Sequence, residues 1–134
     1  MNNAEHVAHR IIGAAIDVHR QFGPGLLESV YTPCLGQELV ECGLDVEIEK
    51  PVSLVHKGLT KNRAYVLDLL VEGSVIVEVK CVEKIKDIHV AQLLTYLRLT
   101  GVTLGLIINF NVTVLKNGIR RVVHNHVEED EDPI

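Results

Sequence analysis

The hydrophobic period of this chain changes at Gly43-Leu44, and that change constrains the fold more than any other feature. Before it, Val7, Ile11, Ala14, Ala15 and Val18 recur at helical spacing between Ala4 and Phe22, the pattern of an amphipathic helix packed on a core. Gly23-Pro24-Gly25 interrupts that pattern, because proline lacks a donor and glycine frees the backbone. A second helical pattern runs from Leu26 to Cys42 with Gly43 placed to end it, and Pro33 inside it predicts a kink or a restart. After Leu44 the period is two. Val46 and Ile48 alternate with charges, and Val52, Leu54 and Val55 form a second short strand after Pro51. Arg63 to Val71 and Ser74 to Lys80 read as two longer strands, with Glu72-Gly73 marking a hairpin between them. Asp87 is placed to cap a third helix that runs to about Leu99 and closes at Thr100-Gly101. Leu104 to Phe110 is a near-continuous apolar run and so a buried strand, while Val112–Leu115, Asn117-Gly118 and Ile119–Val123 read as a terminal hairpin. The order α-α-β-β-β-β-α-β-β-β describes one mixed α/β domain over residues 1–127, followed by an acidic C-terminal tail over residues 128–134.

Composition narrows the function classes. A chain of 134 residues can bury roughly two-thirds of its unfolded surface, so its core needs no disulfide or metal staple. Aromatics are 4% with no tryptophan, which requires an aliphatic core and argues against an aromatic platform for single-stranded nucleic acid. No apolar run approaches the roughly 20 residues that span a bilayer, and MNNAEHVAHR has no apolar segment of a secretory signal. Cys34, Cys42 and Cys81 lack CxxC spacing, so reduced thiols in the cytoplasm are expected rather than a disulfide framework or a zinc site. The net charge of −5 comes from the carboxylates of residues 128–132; the rest of the chain has 13 basic and 13 acidic residues. A neutral body lacks the global basic footprint of a strong nucleic-acid binder, so any such binding must come from a local patch. The tail reads as a solvated end, or as a competitor with phosphate for a basic site.

The chemistry-bearing stretch is residues 67–80. Strand alternation sends Glu78 and Lys80 to the face of Ile76, while Val75, Val77 and Val79 face the other way. On the preceding strand Asp68 shares a face with Val66 and Leu70. A hairpin loop with an odd number of residues brings Asp68 beside Glu78; a two-residue loop separates them. Charged side chains on an otherwise apolar strand pair are costly unless they are paired or metal-bound. Two neighbouring carboxylates repel, and a divalent cation between them removes that penalty, forming an oxygen-rich Mg²⁺ site completed by water and substrate phosphate. Lys80 can then orient the attacking water or stabilise charge on a phosphate. The same residues also fit an exposed edge hairpin with an ion pair.

Gln92 and Tyr96 are four apart on the third helix, one turn after His89 on the same face, and can hydrogen-bond a phosphate or the lysine. Glu28 and Tyr31 are neighbours on the second helix, and Glu28 in a first turn also suits the helix dipole. Gly25, Glu28 and Tyr31 match a GxxExxY signature, Asp68 and Glu78-Val79-Lys80 match an acidic strand position followed by ExK, and Gln92 and Tyr96 match QxxxY. With these four pieces in order, nearly the whole chain resembles the GxxExxY family of the PD-(D/E)xK nuclease superfamily. No proline precedes Asp68, where the residue is Leu67.

The resemblance implies a restriction-endonuclease-like core, a mixed β-sheet flanked by α-helices, with a metal site where two strands diverge. It implies a metal-dependent nuclease hydrolysing phosphodiester bonds of nucleic acid, DNA ahead of RNA. Asp68 and Glu78 would hold Mg²⁺, with Mn²⁺ as a substitute. Glu28 would assist from its helix as a third metal-side carboxylate, and Lys80 would position water. Gln92 and Tyr96 support the site or contact phosphate, and Lys84, Lys86 and Arg98 form a local basic rim. A homodimer would bring two such sites to a duplex. The alternative is a catalytically inactive nucleic-acid- or protein-binding module on the same fold. A further rival is a structural protein whose charged trio is only an ion-pair network. His124 and His126, two apart on one strand face, form a weaker metal-binding alternative. The cysteines read as small core or flanking residues.

Overall fold

A computed structural model describes residues 3–127. Its elements are α1 (Asn3–Phe22), α2 (Glu28–Glu41), β1 (Val46–His56), β2 (Leu59–Val71), β3 (Val75–Lys80), α3 (Asp87–Thr100), β4 (Leu104–Asn109) and β5 (Ile119–Val123), with a 3-10 turn at Leu115–Gly118 before β5. The five strands form one sheet in the order β1-β2-β3-β4-β5. β3 and β4 are parallel and every other neighbouring pair is antiparallel. A parallel pair needs a crossover, and α3 supplies it. This is the expected mixed sheet flanked by helices.

The helices divide the core into two layers. Ile11, Ala15 and Val18 of α1 and Leu35 and Leu39 of α2 pack with Leu69, Val77 and Val79 on one face of the sheet. On the other face Leu93 and Leu97 of α3 pack with Leu67, Ile76 and Ile107. β3 and β4 are buried on both sides, which explains their near-continuous apolar sequence. No helix among the described residues is long and apolar enough to cross a membrane.

Four local readings are corrected. The stretches around Val46 and after Pro51 are one strand, not two. β1 is an edge, so the missing proline donor costs no ladder bond. Val112–Leu115 is not a strand: the chain bends and enters the 3-10 turn, so β5 pairs with β4 rather than with a hairpin partner. Pro33 does not restart α2, which runs unbroken from Glu28 to Glu41. The carbonyl that its absent N–H would have bonded belongs to Ser29, which is exposed to water. The N-cap of α3 is Lys86, not Asp87: the Lys86 amide donates to His89 Nδ1 at 2.9 Å, and the His89 amide donates to the Lys86 carbonyl at 3.0 Å. The acidic tail over residues 128–134 lies outside the described residues.

Candidate active site

The β2–β3 hairpin has the odd loop that the site requires. Leu69 pairs with Val77, Leu70 with Ile76 and Val71 with Val75, which leaves Glu72, Gly73 and Ser74 as the loop. Glu72 and Gly73 both take left-handed backbone angles. Extending the register sets Asp68 opposite Glu78, and there the ladder stops. Beyond that point β2 continues against β1, while β3 continues against β4 as far as Lys80. Where the strands part, backbone donors lose their ladder partners, and side chains take over. The Asp68 amide donates to Glu78 Oε2 at 3.1 Å, and the Val79 amide donates to Asp68 Oδ2 at 2.8 Å.

The local backbone departs from simple alternation at this position. Leu67 packs on the α3 side and Leu69 on the α1–α2 side, although regular alternation would place them together. The partner strand turns over in step: Val46 packs with the first layer, Val52 with the second, and Glu49 between them has φ +52°. Asp68 therefore lies at a coordinated twist of β1 and β2, not on a flat strand. The β1 sequence carries this signal only as the broken alternation Glu49-Lys50-Pro51.

Electrostatics identify what surrounds the pair. Glu78 is 6% exposed. Burial raises its carboxyl to about 8, with the Asp68 charge adding to the rise, the Asp68 amide and Lys80 opposing it, and Glu28 adding again. Asp68 is also raised, first by burial against the Val79 amide bond, then by Glu28 against Lys80, with Glu49 adding. Glu28 belongs to α2 and acts from one side of the sheet. Tyr96 belongs to α3 on the other side, and its phenol is raised by burial and then by the charges of Glu78, Asp68 and Tyr65. The gap between β2 and β3 is thus approached from both layers. Glu49 is a nearby carboxylate that the sequence reading passed over.

Each member of the Gly25-Glu28-Tyr31 signature has a physical role. Gly25 has φ +113°, a conformation closed to most side chains. Tyr31 is fully buried and stacks on Phe110 with ring centroids 4.3 Å apart and planes 7° from parallel. Its hydroxyl donates to the Gly23 carbonyl and accepts from the Leu26 amide at 3.2 Å. The tyrosine therefore pins the loop that leads into α2, and Glu28 is the first residue after it.

The other expected residues divide. Lys80 follows Glu78 on the same face and opposite Asn109. Tyr96 stacks on Tyr65 of β2, centroids 4.5 Å apart and planes 5° from parallel. The Tyr65 hydroxyl is buried without a hydrogen-bond partner among the described residues. Gln92 is exposed one turn earlier on α3. Lys84, Lys86 and His89 line one open cleft. Arg98 is in the last turn of α3, away from that cleft, with its guanidinium 3.5 Å from Thr95 Oγ1. The His124–His126 pair is not on a strand face, since β5 ends at Val123. His126 bonds Glu5 Oε2 at 2.7 Å and Thr103 Oγ1 at 2.8 Å, in a cluster with Arg121.

Asp68 and Glu78 fit a hard divalent cation by their chemistry: a half-buried and a buried carboxylate face each other, and their mutual repulsion is what such an ion relieves. Among the described residues no group of three or more His, Cys, Asp or Glu side chains converges on one ion. Asp68 and Glu78 are thus a pair, on which Glu28 acts from α2.

A family model for the PD-(D/E)XK nuclease superfamily matches residues 5–122, and the chain belongs to that superfamily. No curated protein and no solved structure matches the chain.

Proposed function

We propose that this chain is a GxxExxY-type nuclease that hydrolyses phosphodiester bonds of nucleic acid, DNA in preference to RNA, with Mg²⁺ as the working ion and Mn²⁺ as a substitute. The observation that carries the reading is the Asp68–Glu78 pair, cross-bonded to the backbone where β2 and β3 separate. A divalent cation between these carboxylates would polarise a phosphoryl oxygen and lower the pKa of an attacking water. Lys80 directs its ammonium to the same side, where it orients that water and takes up charge on the phosphate. Glu28 adds negative potential from the α2 side. Tyr96, held against Tyr65, and Gln92 contact the phosphate from α3. Lys84 and Lys86 steer the backbone, while Arg98 is a more distant contributor. The free thiols Cys34, Cys42 and Cys81 suit a reducing cytoplasm. Two copies, one for each strand, would cut a duplex.

A non-catalytic binding module has one observation in its favour, the absence of a converging third carboxylate among the described residues. The decisive experiment incubates the protein with single- and double-stranded DNA and RNA in Mg²⁺, Mn²⁺ or EDTA. Metal-dependent cutting, faster on DNA and lost in Glu78→Ala, supports the nuclease. Salt-sensitive binding with no cutting of any substrate establishes the module instead.

A further inference from the structure

Beyond the C-terminal ends of the parallel β3–β4 pair, residues 81–86 turn toward α3. Asn109, only 2% exposed, holds this turn in place. Its Oδ1 accepts the Val82 amide at 3.1 Å and its Nδ2 donates to the Val82 carbonyl at 2.9 Å. Asn111 Nδ2 adds a bond to the same carbonyl at 3.3 Å. The 3-10 turn is seated on the same residue: a Cβ on Gly118 would lie 2.2 Å from the Asn109 carbonyl oxygen, so only glycine allows the approach. Between these two fixed walls is a cavity of about 260 Å³ whose lining includes Lys84, Asn117 and Arg120, with Glu83 as its acidic member. It shares Glu83 and Lys84 with a cleft of about 750 Å³ that continues to Lys86 and His89.

The cations are the informative part. Arg121 is committed to Glu5, but its neighbour Arg120 points to the opposite side of β5, the side of Val122 and the α3 layer. Within the described residues neither the Lys84 nor the Arg120 side chain has an ion pair or hydrogen bond. Two cations share one small polar cavity in which neither is ion-paired with Glu83, the carboxylate of its lining, and a guanidinium fork is suited to phosphate oxygens. At this volume the cavity is below the about 300 Å³ typical of drug-sized ligands, a size for a phosphodiester group rather than a whole base pair.

We propose that this cavity is a phosphate-anchoring subsite for the substrate's sugar–phosphate backbone, with Lys84 and Arg120 as its cations and the Asn117 amide as a donor. The adjoining cleft carries the strand past Lys86 and His89. The proposal rests on the nuclease reading, and it adds residues that the sequence motifs do not contain. It also selects the side on which the strand leaves the Asp68–Glu78 pair, which is the 81–86 turn and not the Arg98 end of α3.

The test measures binding of fluorescent single-stranded and duplex DNA in EDTA across a salt series. It compares wild type, Lys84→Gln, Arg120→Gln and the exposed control Arg20→Gln. Each of the first two should weaken binding about five- to tenfold at fixed salt and reduce the slope of log affinity against log salt by about 1, while the control matches wild type. Inorganic phosphate should shift the Asn117 side-chain amide signals in wild type and not in Arg120→Gln. Unchanged affinity and slope in both cavity variants overturn the subsite even if Glu78-dependent cleavage is seen. Absence of both binding and cleavage in wild type removes the subsite together with the nuclease reading.

Discussion

Asp68 and Glu78 are tied by exchange with each other's backbone: Glu78 accepts the amide of Asp68, and Asp68 accepts the amide of Val79, which follows Glu78. Each carboxylate uses one of its two oxygens in this bond. The arrangement orients both groups without a side chain between them, at a point where the sheet has no ladder bond to offer.

Glu78 makes the metal-free protein sensitive to alkali. Its carboxyl titrates at about 8 when folded, against 4.5 as the reference value. Between those values the folded chain holds a proton that the unfolded chain has released, so stability falls as pH rises. The loss is on the order of a few kcal/mol across the window. Thermal melts in EDTA should therefore show a lower Tm at pH 8.5 than at pH 5.5. Glu78→Gln, which still accepts the Asp68 amide, should flatten that difference. Mg²⁺ at pH 8 should raise the Tm of wild type but not of the variant.

Tyr31→Phe separates the ring from the hydroxyl. Stacking on Phe110 survives, but the Gly23 carbonyl and Leu26 amide lose their partner. The cost is about 1–3 kcal/mol, or roughly 4 °C of Tm per kcal/mol at this chain length. Because the loop ahead of Glu28 is released, the cleavage rate should also fall at temperatures where the variant is fully folded. Melts paired with rates at 20 °C check both.

Tyr65→Phe should behave in the opposite way. The hydroxyl is buried and unpartnered among the described residues, so its removal leaves stability unchanged or raises it by up to about 1 kcal/mol. Tyr65→Ala removes the stack on Tyr96 and should cost about 3–5 kcal/mol. Urea denaturation of the two variants distinguishes the contributions of the ring and the hydroxyl.

Glu5 joins the first helix to the end of the sheet through Arg121 and His126. The Arg121 bond lowers its carboxyl, burial opposes that, and His126 lowers it further, to about 2 from 4.5. The stabilisation is present above about 4.5 and is lost as pH falls toward 2. Glu5→Ala should cost roughly 1–3 kcal/mol at pH 7 and should narrow the gap to wild type at pH 2.5, read from denaturant midpoints.

The helices and most strands were legible because they follow from periodicity, and the flanked mixed sheet followed from the family resemblance, while the hairpin register stayed open between an odd loop and a two-residue one. Period two runs through residues 75–80, and a left-handed glycine offered the three-residue loop. Asp68, Glu78 and Lys80 stood out as charges in apolar strands. What stayed hidden depends on neighbours distant in sequence. Pro51 breaks a strand in isolation and is harmless on an edge. Val112–Leu115 has strand residues, but Gly118 seats the 3-10 turn against Asn109 and leaves no partner for a further strand. Asn109 reads as part of an apolar strand until its amide is seen holding Val82. Tyr31 was legible as a motif position, yet its hydroxyl's partners lie in the preceding loop. His126 became a partner of Glu5 only through a contact that spans nearly the whole chain.

The most direct test of the Asp68–Glu78–Lys80 site is the single-turnover cleavage rate of DNA in Mg²⁺. It compares wild type with Asp68→Asn, Glu78→Gln and Lys80→Gln, each first shown to melt cooperatively. A loss of roughly 100-fold or more in all three, with Mg²⁺ affinity reduced in the two carboxylate variants, is the predicted result. Wild-type rates in folded Asp68→Asn and Glu78→Gln would contradict it and place the chemistry elsewhere.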